Sequence, residues 1–550
     1  MCSEHGGADA TTTVDDIAKL CFTILTKFSF LNNKLHSPLY HRSSLLQKPQ
    51  PPPVPSPRLW TSADMLFNSE TSTPSDSVTV ETNFDVIVVG GGFSGIMAAY
   101  NLTQAGHKTL VVEARDRIGG RSWSRLLRSN PDAVVEMGAT WINRTSQTVS
   151  YALCDEFGLE MAEQYEKGDV VDQDPLGNIT RGPNGVTGGD EDAGNDPGEP
   201  SPVEAFFLAL GLAAEQHDIR DFEAFDEEED VLMSEWLVQK LGDVGKSLEV
   251  KLSCDWLSSV LVGRGCEEVG AHYLLDYIKS GNGLMSLVSD LAGAQAIKVK
   301  KGTSSMTDAL ANAMPEGSIM LNSPVVDIIQ HTGGQVRVTT SPGLEYTAKK
   351  AILAIPTNTY TRIRFTPPLP PNKRALLTRT KPGIYAKAIL SYAAPWWREA
   401  GLAGKFQSLV GPINFSWDTS EVDAGQYSLA VFVTGDTAAA WHLLTDLGRE
   451  EAVVEHLAEL AGSELAGQAR NLTEFNVVEW TKEQWLWGGP TSSMGPGMLR
   501  NHGKALREPF GDLHFGGGET AYEWKGYLEG ALRAGMRVAE EVVEKLGRHE

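Results

Sequence analysis

The sequence predicts an α/β fold built on a Rossmann-type dinucleotide-binding domain, with a second domain of α+β type. Three observations carry this. In Phe84-Asp-Val-Ile-Val-Val-Gly-Gly-Gly-Phe-Ser-Gly95, a run of buried-strand character meets glycines 90, 92 and 95 at G-x-G-x-x-G spacing, and an Ala-rich helical pattern follows. His107 to Glu113 then reads as a second strand ending in an acid, where a βαβ unit places the carboxylate that takes ribose hydroxyls. Further on, helical periodicity dominates residues 231–292, whereas 319–329 and 335–339 alternate as strands do.

Each element has its reason. Gly90 permits the tight turn, Gly92 lets the backbone approach a pyrophosphate, and Gly95 lets helix and strand pack closely. Glu113-Ala-Arg-Asp-Arg-Ile-Gly-Gly-Arg121 adds a second glycine–arginine element, in which Arg115 and Arg121 can neutralise pyrophosphate charge through forked hydrogen bonds. Val134 to Asn143 is a short strand running into small residues. Such a turn lets the backbone lie close to a flat ring. Residues 168–202, rich in Gly, Pro, Asn and Asp, read as a surface loop. The acidic run Asp221 to Asp230 reads as a solvated helix face. Lys387 alternates with apolar neighbours on a strand pattern, so its side chain is expected to point inward, where a lysine needs a partner or a depressed pKa.

Composition excludes several functions. The formal charge of −24 over 550 residues leaves no basic groove for nucleic acid. Five widely spaced cysteines without a C-x-x-C pattern read as free thiols in a reducing compartment, with no metal site. No stretch of about eighteen uncharged apolar residues is present, so no membrane span is expected. Residues 1–82, with the polyproline run Gln47 to Pro57, read as a disordered extension outside the fold. Their basic stretch is weakened as an organelle address by Asp15 and Asp16, and the ending at Glu550 carries neither anchor nor peroxisomal address. The expectation is a soluble cytoplasmic protein.

The two glycine-rich elements, Lys381 to Leu390 and the closing run Leu513-His-Phe-Gly-Gly-Gly-Glu-Thr-Ala-Tyr-Glu-Trp-Lys-Gly-Tyr527 resemble the flavin-containing amine oxidase family, of monoamine oxidase type. The runs Gly138 to Asn143, Asp276 to Ser280, Pro395 to Gly401 and Gly411 to Ser420 are most similar to the fungal-type monoamine oxidases, which include the fumonisin (aminopolyol) amine oxidases. The resemblance implies the amine oxidase fold. An FAD-binding domain would be assembled from 83–158, 298–376 and 483–547, and a substrate domain from 159–297 and 377–482. It implies FAD contacts at Gly90, Gly92, Ser94, Gly95, Glu113, Ala114, Arg115, Gly120 and Arg121. Further contacts fall at Gly138, Ala139, Thr140, Trp141, Val325, Gly518, Glu519, Gly526, Tyr527 and Leu528. It makes Lys387, holding a water near the flavin, and Tyr527, an aromatic wall, the catalytic residues. Tyr527, Thr491, Trp485 and Phe415 would line the substrate pocket. Where animal monoamine oxidases carry a flavin-linked cysteine and a tyrosine, Pro490 and Thr491 stand, so FAD is expected to be non-covalent and one aromatic wall to be absent unless Trp485 or Trp487 replaces it.

The implied reaction is oxidation of a neutral primary amine by O2 to a carbonyl compound, with ammonia and H2O2 released, in a homodimer; a long-chain or polyol amine such as fumonisin is one candidate substrate. Polyamine or L-amino-acid oxidation on the same fold stays open at this point, as does a flavin-binding scaffold without turnover.

Overall fold

The computed structural model describes residues 83–184, 200–289, 293–341 and 343–547. The expected extension over 1–82 lies outside them, as does the middle of the expected loop over 168–202.

In chain order the elements that build the site are β1 (Asn83–Val89), α1 (Phe93–Gln104), β2 (Thr109–Val112), β3 (Asp169–Gln173) and β4 (Ile179–Pro183). A helical stretch follows: α2 (Pro202–Gln216), α3 (Met233–Leu241), α4 (Leu248–Val262), α5 (Ala271–Ser280) and α6 (Ser304–Asn312). Then come β5 (Ile319–Met320), β6 (Val325–His331), β7 (Gln335–Thr340), β8 (Glu345–Leu353) and β9 (Arg364–Thr366). The last group is β10 (Tyr385–Tyr392), β11 (Leu402–Ser408), β12 (Phe415–Asp418), β13 (Tyr427–Thr434), β14 (Glu474–Glu479), β15 (Leu513–Phe515) and α7 (Leu528–Gly547).

The first sheet runs β5-β2-β1-β8-β7-β6-β9, with β15 beside the far end of β8. Strands β5, β2, β1, β8 and β15 are parallel. Parallel strands are covered on both faces, which is why β1 reads as an unbroken apolar run. Val86 and Val88 enter one core with Ile96 and Leu102 of α1 and Leu532 and Val538 of α7. Ile87 and Val89 enter the opposite core with Val325, Ile328 and Val336. The carboxyl ends of β1, β2, β8 and β15 open onto one crevice, the usual ligand position in such sheets.

The second sheet runs β14-β10-β13-β12-β11-β3-β4 and is antiparallel except between β11 and β3. One register line crosses four of its strands: Lys387 pairs with Phe432, Phe432 with Phe415, and Phe415 with Gln407. Directly paired residues share a face, so these four side chains form one row. Helices α2 to α5 enclose a separate core around Phe206, Trp236, Leu257 and Tyr277. Among the described residues no helix is long and apolar enough to cross a membrane.

Two local expectations are corrected. The loop expected over 168–202 begins with the hairpin β3–β4, whose turn is closed by the Asp174 carboxylate accepting from the Leu176 and Asn178 amides at 2.8 and 2.9 Å. The alternation in Asp169-Val-Val-Asp-Gln173 is the strand signal that the surrounding Gly and Asp obscure. The acidic run 221–230 forms no helix beyond a single turn at Glu227–Glu229. A run of like charges carries no apolar stripe to dock; Phe222 is buried in the core and Phe225 packs against it.

Candidate active site

The crevice continues into one cavity that reaches the row on the second sheet. At its first end the glycine turn does what its spacing requires. Gly90 sits at φ +105°, a conformation suited to glycine. A Cβ on Gly95 would meet the Gly90 carbonyl oxygen at 1.9 Å, so this glycine sets how closely α1 approaches β1. Gly90, Gly92 and Ser94 line the cavity, whereas Gly95 lies behind it. The Glu113 carboxylate accepts from the Gly91 amide at 2.6 Å and the Arg115 amide at 2.9 Å, which fixes it at the end of β2. Burial raises its pKa against those two hydrogen bonds. Ala114, Arg115, Gly120 and Arg121 also line the cavity, with Val325 opposite.

Arg121 joins distant segments. Its Nη1 donates to Glu519 Oε1 at 2.7 Å and to the Pro490 carbonyl at 2.5 Å. Arg115 pairs through Nη2 with Glu483 at 2.6 Å, and its buried Nη1 has no protein partner among the described residues; nor does Glu519 Oε2. Buried polar atoms left unmatched by protein call for a ligand or water. A glycine cradle, an acid at the ribose position and an unmatched guanidinium nitrogen fit an acidic dinucleotide. Glu519 is buried but does not line the cavity, while Gly518, Gly526, Tyr527 and Leu528 do.

Midway, Gly138, Ala139, Thr140 and Trp141 pass along one wall, and Lys387 faces them. The Lys387 Nζ donates to the Gly138 carbonyl at 2.8 Å and to Thr140 Oγ1 at 2.6 Å, with the side chain only 1 % exposed. Burial lowers its pKa to about 7, while the nearby Glu136 carboxylate pulls the other way. Glu136 is itself buried, accepts from Ser124 Oγ at 2.7 Å and from the Thr303 amide, and has its pKa raised by desolvation. Glu136 escaped the sequence reading, although its signal was present as an acid inside the short strand leading to Gly138.

Beyond Lys387 the walls are aromatic. Phe415 and Phe432 stack at 4.5 Å, Trp417 and Trp141 lie 5.2 Å apart, and Tyr385 and Trp480 complete this side. Tyr527 faces in from the start of α7, with Tyr277 of α5 6.3 Å away between ring centres. Trp485 lines the cavity; Trp487 does not, and lies beneath Arg362 instead. Thr491, expected in the substrate pocket, follows the lining residues Gly489 and Pro490 but is not itself among them. Its buried hydroxyl needs a partner and finds Tyr273 Oη at 3.1 Å. Among the described lining residues there is no histidine or cysteine, and the acids are Glu113 and Glu166. The described cysteines, Cys154, Cys254 and Cys266, are buried elsewhere, and no metal-binding group of side chains occurs among the described residues.

The sequence profile of the Flavin containing amine oxidoreductase family matches residues 93–543. The flavin-containing amine oxidase B of Sus scrofa is 31% identical over 479 residues, covering 84% of this chain and 87% of its own. Among solved structures, the cyclohexylamine oxidase from Brevibacterium oxydans superposes with a TM-score of 0.74 at 30% identity, covering 84% of this chain and 99% of its own. A putrescine oxidase bound to putrescine gives a TM-score of 0.75 at 26% identity over the same shares.

Proposed function

The chain belongs to the flavin-containing amine oxidoreductase family and is an FAD-dependent amine oxidase; from that premise we propose that it oxidises a long-chain primary amine, fumonisin-type amines among them, with O2 as acceptor. The balance is amine, O2 and water in, and a carbonyl compound, ammonia and H2O2 out. Bound FAD would supply the redox chemistry, as acceptor of the amine's two electrons and their donor to O2.

The protein's residues hold and exclude. Glu113 would take the ribose hydroxyls, while Arg115 and Arg121 would offset phosphate charge. Gly138 to Trp141 and, at the amino end of α7, Gly526 to Leu528 line the cavity where they would hold the ring system. Pro490 stands where a flavin-linked cysteine would, and the described lining residues include no cysteine or histidine, which supports a non-covalently held flavin. Lys387 keeps an exchangeable proton available near neutral pH, and Tyr527 walls the amine's approach.

One observation carries this reading: beside Lys387 the cavity is walled by Trp141, Phe415, Phe432 and Tyr385, and its described lining residues include no histidine and no acids besides Glu113 and Glu166. The amine must therefore arrive neutral, and the rate of flavin reduction rises with pH through the amine's own pKa. The test is anaerobic titration of the purified yellow protein with alkylamines. Bleaching, then recovery in air with peroxide formed, is expected. A flavin that no amine bleaches rules the proposal out. The reading includes a homodimer; light scattering giving the 59.6 kDa mass of one chain would refute that part.

A further inference from the structure

The register line on the second sheet measures the cavity. Lys387 on β10, Phe432 on β13, Phe415 on β12 and Gln407 on β11 are successive partners, and all four line the cavity. Three inter-strand steps of roughly 4.8 Å put Gln407 about 14 Å from the Lys387 end. Along that floor the chemistry changes in order. It starts with an amine, passes the stacked Phe432 and Phe415 rings, and ends in polar groups. Two residues before Gln407 on the same strand, Lys405 also lines the cavity, and its Nζ donates to Asn184 Oδ1 at 3.1 Å. Asn184 Nδ2 in turn donates to the Glu166 carbonyl at 2.7 Å, which brings the segments flanking β3 and β4 to the same end. Glu166 lines the cavity here; burial raises its pKa, and Lys405 opposes that. Gln407 lines the cavity, and no hydrogen bond holds its side-chain amide among the described residues.

We infer that Gln407, Lys405, Asn184 and Glu166 form a distal polar subsite that binds hydroxyl groups on the substrate chain, about ten to twelve carbons from the oxidised amine, the reach of an extended alkyl chain over that span. The inference rests on the amine-oxidase reading of the Lys387 end. The set mixes donors and acceptors and offsets its own cation with its own anion. A second ammonium would face Lys405, and a carboxylate would face Glu166. A neutral hydroxyl finds a partner in either. Between the two ends the aromatic floor accepts methylenes and offers nothing polar from Phe415 or Phe432, so the recognised chain is amphipathic: amine, apolar spacer, hydroxylated tail.

The test compares dodecylamine with its ω-hydroxy analogue, aminododecanol, on the FAD-loaded full chain. The expected result is a kcat/KM for aminododecanol about tenfold above that for dodecylamine, the worth of one or two added hydrogen bonds. In Gln407→Leu, and separately in Lys405→Met, that ratio should fall towards one. Both substrates are measured on the same preparation, so a partly unfolded variant leaves the ratio readable. Equal kcat/KM values in the unaltered protein, or a preference that survives both substitutions, overturn the subsite. A stronger preference for the α,ω-diamine or the ω-carboxylate overturns its neutral character. Should none of these amines be oxidised, the long-chain-amine reading fails, and anaerobic calorimetry still decides the subsite: aminododecanol must bind more tightly than dodecylamine.

Discussion

Lys387 lives under two opposed pulls. Its Nζ is held by a carbonyl and a hydroxyl and flanked by the rings of Phe432 and Trp141 at 5.1 and 5.6 Å. Desolvation favours the neutral amine, while the Glu136 carboxylate favours the ammonium. The sign for a variant follows directly. Replacing Glu136 by Gln removes the pull towards the charged form, so the Lys387 pKa should fall further below its present value of about 7. If oxygen's reaction with the reduced enzyme uses the Lys387 proton, the pH at which that rate breaks should move to lower pH in E136Q. Stopped-flow mixing with O2 across pH reads this. A break at the unaltered pH would show that Glu136 has only a packing role. The Ser124 hydroxyl can still meet the Gln side chain, so the substitution is conservative for the fold.

At the scale of elements, two contacts fix where the walls stand. The first is α1 against β1. Gly95→Ala places a methyl against the Gly90 carbonyl, and overpacking of this kind costs about 1–3 kcal/mol. The glycine turn moves with the helix, so the variant should show both a lower melting temperature and a reduced flavin content. Full flavin occupancy would mean that the turn tolerates the shift. The second contact ties α5 to the loop that leads into α7. Asp276 of α5 is buried against Lys525 and receives a 3.2 Å contact from His217, and Lys525 lies two residues before Tyr527. Burial raises the Asp276 pKa and the Lys525 charge lowers it, the net shift being downward. Asp276→Asn leaves the Lys525 ammonium buried without its counter-charge, at a cost of about 3–5 kcal/mol. Denaturant unfolding should show that loss, and adding Lys525→Met should recover much of it, because the unpaired charge goes too. No recovery in the double variant would place the loss in the His217 contact instead.

The whole molecule gathers the dinucleotide crevice from segments around residues 90, 115, 140, 325, 355 and 520. A ligand that touches all of them binds the folded chain and not the unfolded one. A hundredfold excess of FAD over its dissociation constant should therefore stabilise the fold by about 2.7 kcal/mol. Removing the flavin should lower the melting temperature, and adding FAD back should restore it. Equal melting curves with and without flavin would mean that the crevice is held open by protein contacts alone. Acid precipitation should leave all the yellow colour in the supernatant; colour retained in the pellet would reveal a covalent bond and refute the non-covalent reading.

What was readable in the sequence is what local physics decides. The turn at Gly90, the close approach at Gly95, the strand ending in Glu113 and the inward-facing Lys387 follow from sterics within a few residues and from the period of strand and helix. The same local signals misled where charge or turn residues masked a pattern, at the β3–β4 hairpin and the acidic run after Asp221. Only the tertiary structure decided which residues meet Lys387 and how the cavity ends. Phe432, Phe415 and Gln407 come to line the cavity through strand register, and a slip of one residue would turn each to the other face. Thr491 shows the same dependence: its identity was plain, but its hydrogen-bond partner, the Tyr273 hydroxyl, lies 218 residues away in the chain. The sequence by itself thus determined the dinucleotide cradle, because each of its parts is a local backbone requirement. The three-dimensional fold determined the electrostatics of the lysine and the length and polarity of the cavity, because desolvation and register are properties of everything packed around a residue.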